Sequence, residues 1–342
     1  MVAYRVRRSM RQTAIKVFLG VGGAIGAGLY LVNASWLAAP PSGRPTLIAQ
    51  RGLHQVYERE GVDDDTCTAR RIPPPTHSFI DNTLPSIAAA FARGADVVEV
   101  DVKLTKDRQF VLFYDNGLEC RTNGTGWVGE HTLAELKTLD VGFGYTADGG
   151  KSFPLRGTGV GLMPSLEEAL KANPGSRFLI QIKDGDRRVG DIMVAYLEQN
   201  GLAQWDRLAF FGSVRPLSRL QSLKPQVRTW SAGSTARCFA QYLGFGWTGH
   251  VPKACDAGII MVPISQSGWV WGWPNRFLDR MREHRIEVML IGRVDGLSGA
   301  GFSRLDSVEE LKRLPPGFDG LIWTDRIDVV GPALARTTGR GE

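Results

Sequence analysis

Asp96-Val97-Val98-Glu99-Val100-Asp101-Val102 is the stretch from which the rest of the chain is read. It is an apolar, strand-like run with two acids near its end. Side chains alternate across a strand, so Glu99 and Asp101 point to the same face. Two hard oxygen ligands side by side at a strand end suit Mg²⁺ or Ca²⁺. A second apolar run, 178–183, closes on Gln181-Ile182-Lys183.

Outward from these two runs, short apolar segments alternate with helical patterns. Strands are expected at 46–50, 96–102, 109–114, 178–183, 207–211, 227–231, 258–263, 287–292 and 320–323. Helices are expected at 84–93, 165–172, 189–200, 275–284 and 307–314. Such alternation predicts an α/β fold with a mainly parallel sheet. Without head and tail, about 290 residues remain, near the size of one (β/α)₈ barrel. One candidate strand is surplus to eight. The connection 103–108 is also too short for a parallel crossover, so 96–102 and 109–114 form a hairpin, or one of them is a lip strand. Two long loops, 53–80 and the glycine-rich 141–162, are expected to be structured binding loops or lids.

The chain carries 41 basic and 35 acidic residues, a formal charge of +6. Five of the basic residues, Arg5, Arg7, Arg8, Arg11 and Lys16, fall within the first 40, where there is no acid. The rest is close to neutral, which excludes a global field for nucleic acid. Behind the basic head lie sixteen uncharged, mostly apolar residues, Val17 to Val32. They predict an uncleaved signal anchor, the alternative being a signal peptide cut at the small residues Ala34 or Ala38-Ala39. In either case the basic head stays cytoplasmic and the following domain is exported. The expected organisation is head and anchor over 1–38, a linker over 39–45, the barrel over 46–330 and a loose tail over 331–342. Oligomeric state is not readable.

Four cysteines, Cys67, Cys120, Cys238 and Cys255, allow three pairings. Cys67–Cys120 is expected because both fall in loops near the proposed site, and Cys238–Cys255 because they are close in sequence. Disulfides agree with export. Trp269, Trp271 and Trp273 alternate. If that segment is extended they share one side, as an apolar wall or a headgroup contact, with core packing as the plain alternative.

The motifs occur in a recognisable order. Gln50-Arg51-Gly52 follows the first strand, Asp81-Asn82-Thr83 opens the first helix, and Glu99-Val100-Asp101 ends the second strand. Tyr114-Asp115, Gln181-Ile182-Lys183 and Thr324-Asp325 follow. From about Thr46 to Asp328 this resembles the glycerophosphodiester phosphodiesterase family, metal-dependent barrels with the signature His-Arg-Gly, Glu-Asn-Thr, Glu-x-Asp, His-Asp, Glu-Ile-Lys and Thr-Asp. Both signature histidines are replaced, by Gln50 and Tyr114.

The resemblance implies a phosphodiester or lipid-headgroup substrate and a divalent metal held by Glu99 and Asp101. Gln181 would take the place of the third carboxylate, with an oxygen but no charge. Arg51 and Lys183 would contact phosphate, with Asn82 beside them. Proton transfer would fall to Gln50, Tyr114 or His54. Gln50 cannot exchange a proton at neutral pH. Tyr114 can do so only with a depressed pKa. His54 lies four residues beyond Gln50, in the loop that would fold back over the site. These replacements leave two expectations: a hydrolase of weakened or altered catalysis, or a silent barrel that binds phosphodiester headgroups at the membrane.

Overall fold

The computed structural model describes residues 2–63, 66–256, 258–295 and 301–337. Its strands are β1 (Thr46–Ala49), β2 (Val97–Leu104), β3 (Phe110–Leu112), β4 (Arg177–Ile182), β5 (Leu208–Gly212), β6 (Arg228–Trp230), β7 (Ile259–Pro263), β8 (Glu287–Ile291), β9 (Val294–Asp295), β10 (Gly301–Phe302) and β11 (Leu321–Thr324). Eight of them pair in parallel in the order β6-β5-β4-β2-β1-β11-β8-β7. β6 and β7 stand at the two ends of that order, so the ring is a nearly closed (β/α)₈ barrel. β3 is the surplus strand. It folds back antiparallel on β2, because five intervening residues suffice for a hairpin but not for a crossover.

The helices are α1 (Val2–Asn33), α2 (Leu84–Ala92), α3 (Leu133–Leu136), α4 (Leu166–Ala172), α5 (Arg188–Gln199), α6 (Val214–Leu223), α7 (Ala232–Phe245), α8 (Asn275–Glu283), α9 (Val308–Leu311) and α10 (Ile327–Thr337). Strand alternation sorts the core into two layers. Val98, Val100, Val102, Phe178, Ile180 and Ile182 face outward, against the helices. Val97, Leu179, Phe211, Met261 and Trp323 face inward and plug the barrel. The loops 53–80 and 141–162 build a satellite core with Val111, Leu118, Leu136 and Tyr145. They are structured, as expected of binding loops.

Two expectations need correction. Helices α6 and α7 escape the sequence reading: Pro216 sits in the first turn of one, while the other begins Ala232-Gly233-Ser234-Thr235. The loose tail from Gly331 is helical as far as Thr337, since α10 buries Ile327, Val330 and Ala333. Gly331 itself sits so close to the Arg93 carbonyl that a Cβ would lie 1.9 Å from it; residues 338–342 fall outside the described set. The linker itself packs on the barrel: Pro41 and Pro45 are buried, and Gly43 N–H donates to the Gly317 carbonyl at 3.2 Å.

Within α1, Lys16–Asn33 is long and apolar enough to cross a membrane, a test that a signal sequence also passes. Both expected disulfides are present, Cys67–Cys120 and Cys238–Cys255. The second closes a loop of 17 residues between α7 and the approach to β7. Replacing both of its cysteines with serine is expected to lower unfolding stability by about 3 kcal/mol, the chain-entropy value for so short a loop. A denaturation midpoint that does not move would refute this.

Candidate functional site

Above the apolar plug, the inward positions turn polar. The faces that carry Ile48, Val97, Leu179 and Trp323 continue with Gln50, Glu99, Asp101, Gln181 and Asp325, toward the C-terminal ends of the strands. That end is the usual catalytic face of such barrels. Asp101 and Gln181 are register partners on the neighbouring strands β2 and β4. Glu99 and Asp101 are fully buried.

Each carboxylate has one oxygen fixed by the protein and the other turned to a common point. Glu99 Oε2 accepts the Arg51 backbone N–H at 3.0 Å. Asp101 Oδ2 accepts Asn82 Nδ2 at 3.0 Å and stands 3.0 Å from Arg51 Nε in an ion pair. The remaining oxygens, Glu99 Oε1 and Asp101 Oδ1, lie 3.1 and 2.6 Å from one end of the Gln181 amide. With its nitrogen there, Gln181 donates to both. With its oxygen there, three oxygens crowd together, as they do around a hard cation. Oxygens on adjacent corners of an octahedron with bonds of 2.0–2.1 Å are about 2.9 Å apart. Only in that second orientation do the three side chains form an oxygen set of the kind that holds a hard divalent cation. Among the described residues no three His, Cys, Asp or Glu side chains form a group that could hold a metal ion, so any third oxygen here would have to come from the Gln181 amide.

The backbone around the pair is shaped to hold it. Arg51 and Asn82 both have left-handed φ, 53° and 58°, a conformation uncommon outside glycine and found at functional sites. It lets Asn82 bracket Asp101, its Oδ1 accepting the Asp101 N–H at 3.0 Å. Gly52 (φ 78°) is required, because a Cβ there would lie 2.6 Å from Ser86 Oγ. Thr83 caps α2 by accepting the Ser86 N–H. Asn82 is thus tied to Asp101, while Thr83 serves the start of the helix.

Burial first, and then the neighbouring Asp101, raise Glu99 to about 8. Burial works against the charge on Arg51, but Asp101 together with Tyr114, Tyr57 and Asp81 more than offsets it, so Arg51 stays charged. Its guanidinium carbon lies 3.4 Å from the centroid of the Tyr114 ring, and Lys183 Nζ lies 3.1 Å from it. Tyr114 is therefore a cation-π platform. Lys183 Nζ is 3.9 Å from Asp101 Oδ1, and burial lowers it to about 8. Arg51 is ion-paired with Asp101 through Nε.

His54 is 3% exposed and lies beside Asp325, just past the end of β11. Its Nε2 is 3.9 Å from Asp325 Oδ1, and Nδ1 is buried with no hydrogen-bond partner. Burial, helped by Arg51, lowers its pKa against the pull of Asp325, so the ring is neutral at pH 7. Gln50 Oε1 is likewise buried without a partner.

Sequence reading missed the second ring of charge. Arg121 ties Asp81 to Asp115 and donates to Tyr145 Oη at 3.2 Å and Thr68 Oγ1 at 2.7 Å. Arg121 and Arg51 hold Asp81 at about 2 despite burial. Arg304 lies 4.5 Å from the Trp323 ring centroid with its Nε unpartnered. Arg59 pairs with Asp325. The only local signal for Arg121 is its place beside Cys120, whose disulfide draws the loop to the site; Arg304 and Arg59 carry none.

Residues 73–209 match the model of the glycerophosphoryl diester phosphodiesterase family. A glycerophosphodiester phosphodiesterase of Bacillus subtilis is 33% identical over 128 residues, 36% of this chain and 42% of that protein. One from Caldanaerobacter subterraneus is 44% identical over 62 residues, 18% of this chain and 26% of that protein. The chain thus matches less than half the length of these curated relatives. The crystal structure of a glycerophosphodiester phosphodiesterase from Agrobacterium tumefaciens aligns with 84% of this chain and 99% of its own, at 20% identity and TM-score 0.52. An Oleispira antarctica phosphodiesterase in complex with the product sn-glycerol-3-phosphate aligns with 85% of this chain and 97% of its own, at 18% identity and TM-score 0.52. In barrel fold, and in sequence over residues 73–209, the chain resembles the glycerophosphodiester phosphodiesterase family.

Proposed function

We propose that this chain is a phosphodiester hydrolase of the glycerophosphodiester phosphodiesterase type, acting on glycerophosphodiesters or lipid headgroups. One observation carries the reading. Glu99 Oε1, Asp101 Oδ1 and the Gln181 amide converge, while the outer oxygens of the two carboxylates are held by Arg51 and Asn82. Residues that only balanced buried charge would not need one oxygen each turned to a shared point. Glu99, Asp101 and Gln181 would hold the divalent cation, which when bound neutralises phosphate oxygens. Lys183, part-exposed on the Tyr114 platform, would bind a phosphate oxygen. Arg51 would fix Asp101. His54, neutral and backed by Asp325, would take the proton of the attacking water. The bond from phosphorus to the leaving alcohol would break, with the Lys183 ammonium, lowered to about 8, as the acid that protonates the departing oxygen. The expected products are a phosphomonoester and an alcohol, as the glycerol phosphate in the Oleispira relative suggests. α1 would anchor the barrel on the extracytoplasmic side, in keeping with two disulfides; release after cleavage is the alternative.

The test is hydrolysis of glycerophosphocholine by the full chain with Mg²⁺ or Ca²⁺. His54→Gln is expected to lower kcat by about 10² to 10⁴-fold. An unchanged rate would dismiss His54 as the base. A second reading, the silent headgroup-binding barrel, is favoured by the orphaned Gln50 Oε1 and by the engagement of Tyr114 with two cations. It predicts no turnover by the wild type, and turnover restored by Gln50→His together with Tyr114→His.

Cation binding should depend on pH in a definite direction. Glu99 holds its proton up to about 8, and a cation must displace it. Apparent affinity should rise about tenfold per pH unit below that value and level off above it. Calorimetry in buffers of different ionisation heat should show about one proton released near pH 7 and none near pH 9. Affinity independent of pH would show that Glu99 is not a ligand.

A further inference from the structure

We infer that the outer wall of the barrel between α7 and α8 is a bilayer-contact surface, seated in the headgroup layer by Trp36, Phe245, Trp247, Trp269 and Trp271. The inference rests on reading α1 as a membrane span. The end of α1 is fastened to this wall at three points. Asn33 Nδ2 donates to the Trp247 carbonyl at 2.7 Å, Arg280 Nη2 to the Val32 carbonyl at 3.1 Å, and the Asn275 N–H to Ser35 Oγ at 2.9 Å. A helix bonded in this way cannot hold the barrel off at a distance. Wherever the span leaves the hydrocarbon, this wall lies beside it.

The wall is built for that layer. Trp269 is 73% exposed, Trp36 68% and Phe245 58%, and Trp247 and Trp271 are also exposed. The three alternating tryptophans do not form the single extended face their spacing suggested. The segment coils through a 3-10 turn, Ile264–Trp269, and then further turns. Trp273 turns inward onto Phe277, with ring centroids 5.8 Å apart. Trp269 and Trp271 are left outside, Trp271 Nε1 donating to the Leu243 carbonyl at 2.8 Å. Large aromatics gathered on a water-facing surface are unfavourable, whereas Trp is favoured at a membrane interface. Elsewhere beyond α1 the exposed apolar side chains, Trp127, Val160, Val214, Leu223 and Val308, are scattered along the chain. The occupant is the bilayer, because the patch is continuous with the exposed Tyr30, Leu31 and Val32 at the end of the candidate span.

The experiment uses the full chain in phosphatidylcholine vesicles brominated on the acyl carbons nearest the headgroup, with tryptophan fluorescence as the readout. A protease-protection assay of α1 runs in parallel. Quenching of the wild type, retained by Trp127→Phe and clearly reduced by Trp36→Ser combined with Trp269→Ser, which leaves Trp247 and Trp271 in the patch, is the expected result. Both serine substitutions lie at exposed positions that packing does not require. Protected α1 with no quenching, or with quenching that the serine variant retains in full, would overturn the contact surface and leave the anchor standing. Unprotected α1 without quenching would overturn both.

Discussion

Asp101→Ala is expected to abolish phosphodiester turnover and to lower stability by about 3–5 kcal/mol, the range for breaking a buried ion pair from one side. Asp101 is fully buried and Arg51 is 3% exposed. The substitution removes the carboxylate 3.0 Å from Arg51 Nε and the acceptor of Asn82 Nδ2. Arg51 would then keep a full charge inside the barrel, with the Tyr114 ring and more distant acids as its remaining support. The side chains of two left-handed residues, Arg51 and Asn82, also contact this carboxylate. Asp101→Asn separates the two effects. It keeps the shape and an oxygen, so most of the packing survives, but removes the charge that a cation and Arg51 both need. Denaturant unfolding of both variants, alongside a turnover assay, is the measurement. A loss below about 1 kcal/mol in Asp101→Ala would place the pair among weak surface-like bridges and contradict its burial.

The frame of this protein is legible from periodicity because barrel strands are locally encoded. Each strand of the ring lies within a candidate apolar run, give or take a residue or two, and the ninth run, 109–114, was marked by a connection too short to cross over. The acids of β2 were legible for the same reason: alternation alone places Glu99 and Asp101 together. What local pattern cannot carry is who partners them. Arg51 was read as a phosphate contact, and a sequence does not show the 3.0 Å ion pair that it also makes with Asp101. Tyr114 was read as a proton carrier, and a sequence does not show the two cations that lie against its ring. Arg121 and Arg304 reach the site from distant loops, and contacts of that kind leave no periodic trace. His54 is the instructive middle case. Its position four residues past Gln50 allowed a return toward the barrel, and the structure buries it beside Asp325. Its chemical role stays a matter for the kinetic test.

Gln181→Glu is expected to strengthen divalent-cation binding by at least tenfold and to make stability depend on the cation. In the wild type one end of the Gln181 amide faces Glu99 Oε1 and Asp101 Oδ1 at 3.1 and 2.6 Å. A carboxylate there brings a third charge to the same point. Two unit charges 4 Å apart interact by about 4 kcal/mol at an effective dielectric of 20, and charge count is a main determinant of affinity at oxygen sites. Without a cation the added charge is repelled by its neighbours, one of which already holds its proton to about 8. The variant should therefore melt below the wild type in chelator and regain its midpoint with Mg²⁺ or Ca²⁺. Saturation at a hundred times the dissociation constant adds about 2.7 kcal/mol. Thermal unfolding with and without cation measures this independently of turnover. If the wild type is insensitive to cation while the variant responds, the Gln181 nitrogen faces the pair and the native barrel is closed by its own hydrogen bonds. If both respond, the oxygen faces it and the amide is a true ligand. If neither responds, the three side chains do not converge on a cation, and the hydrolase reading loses the observation it stands on.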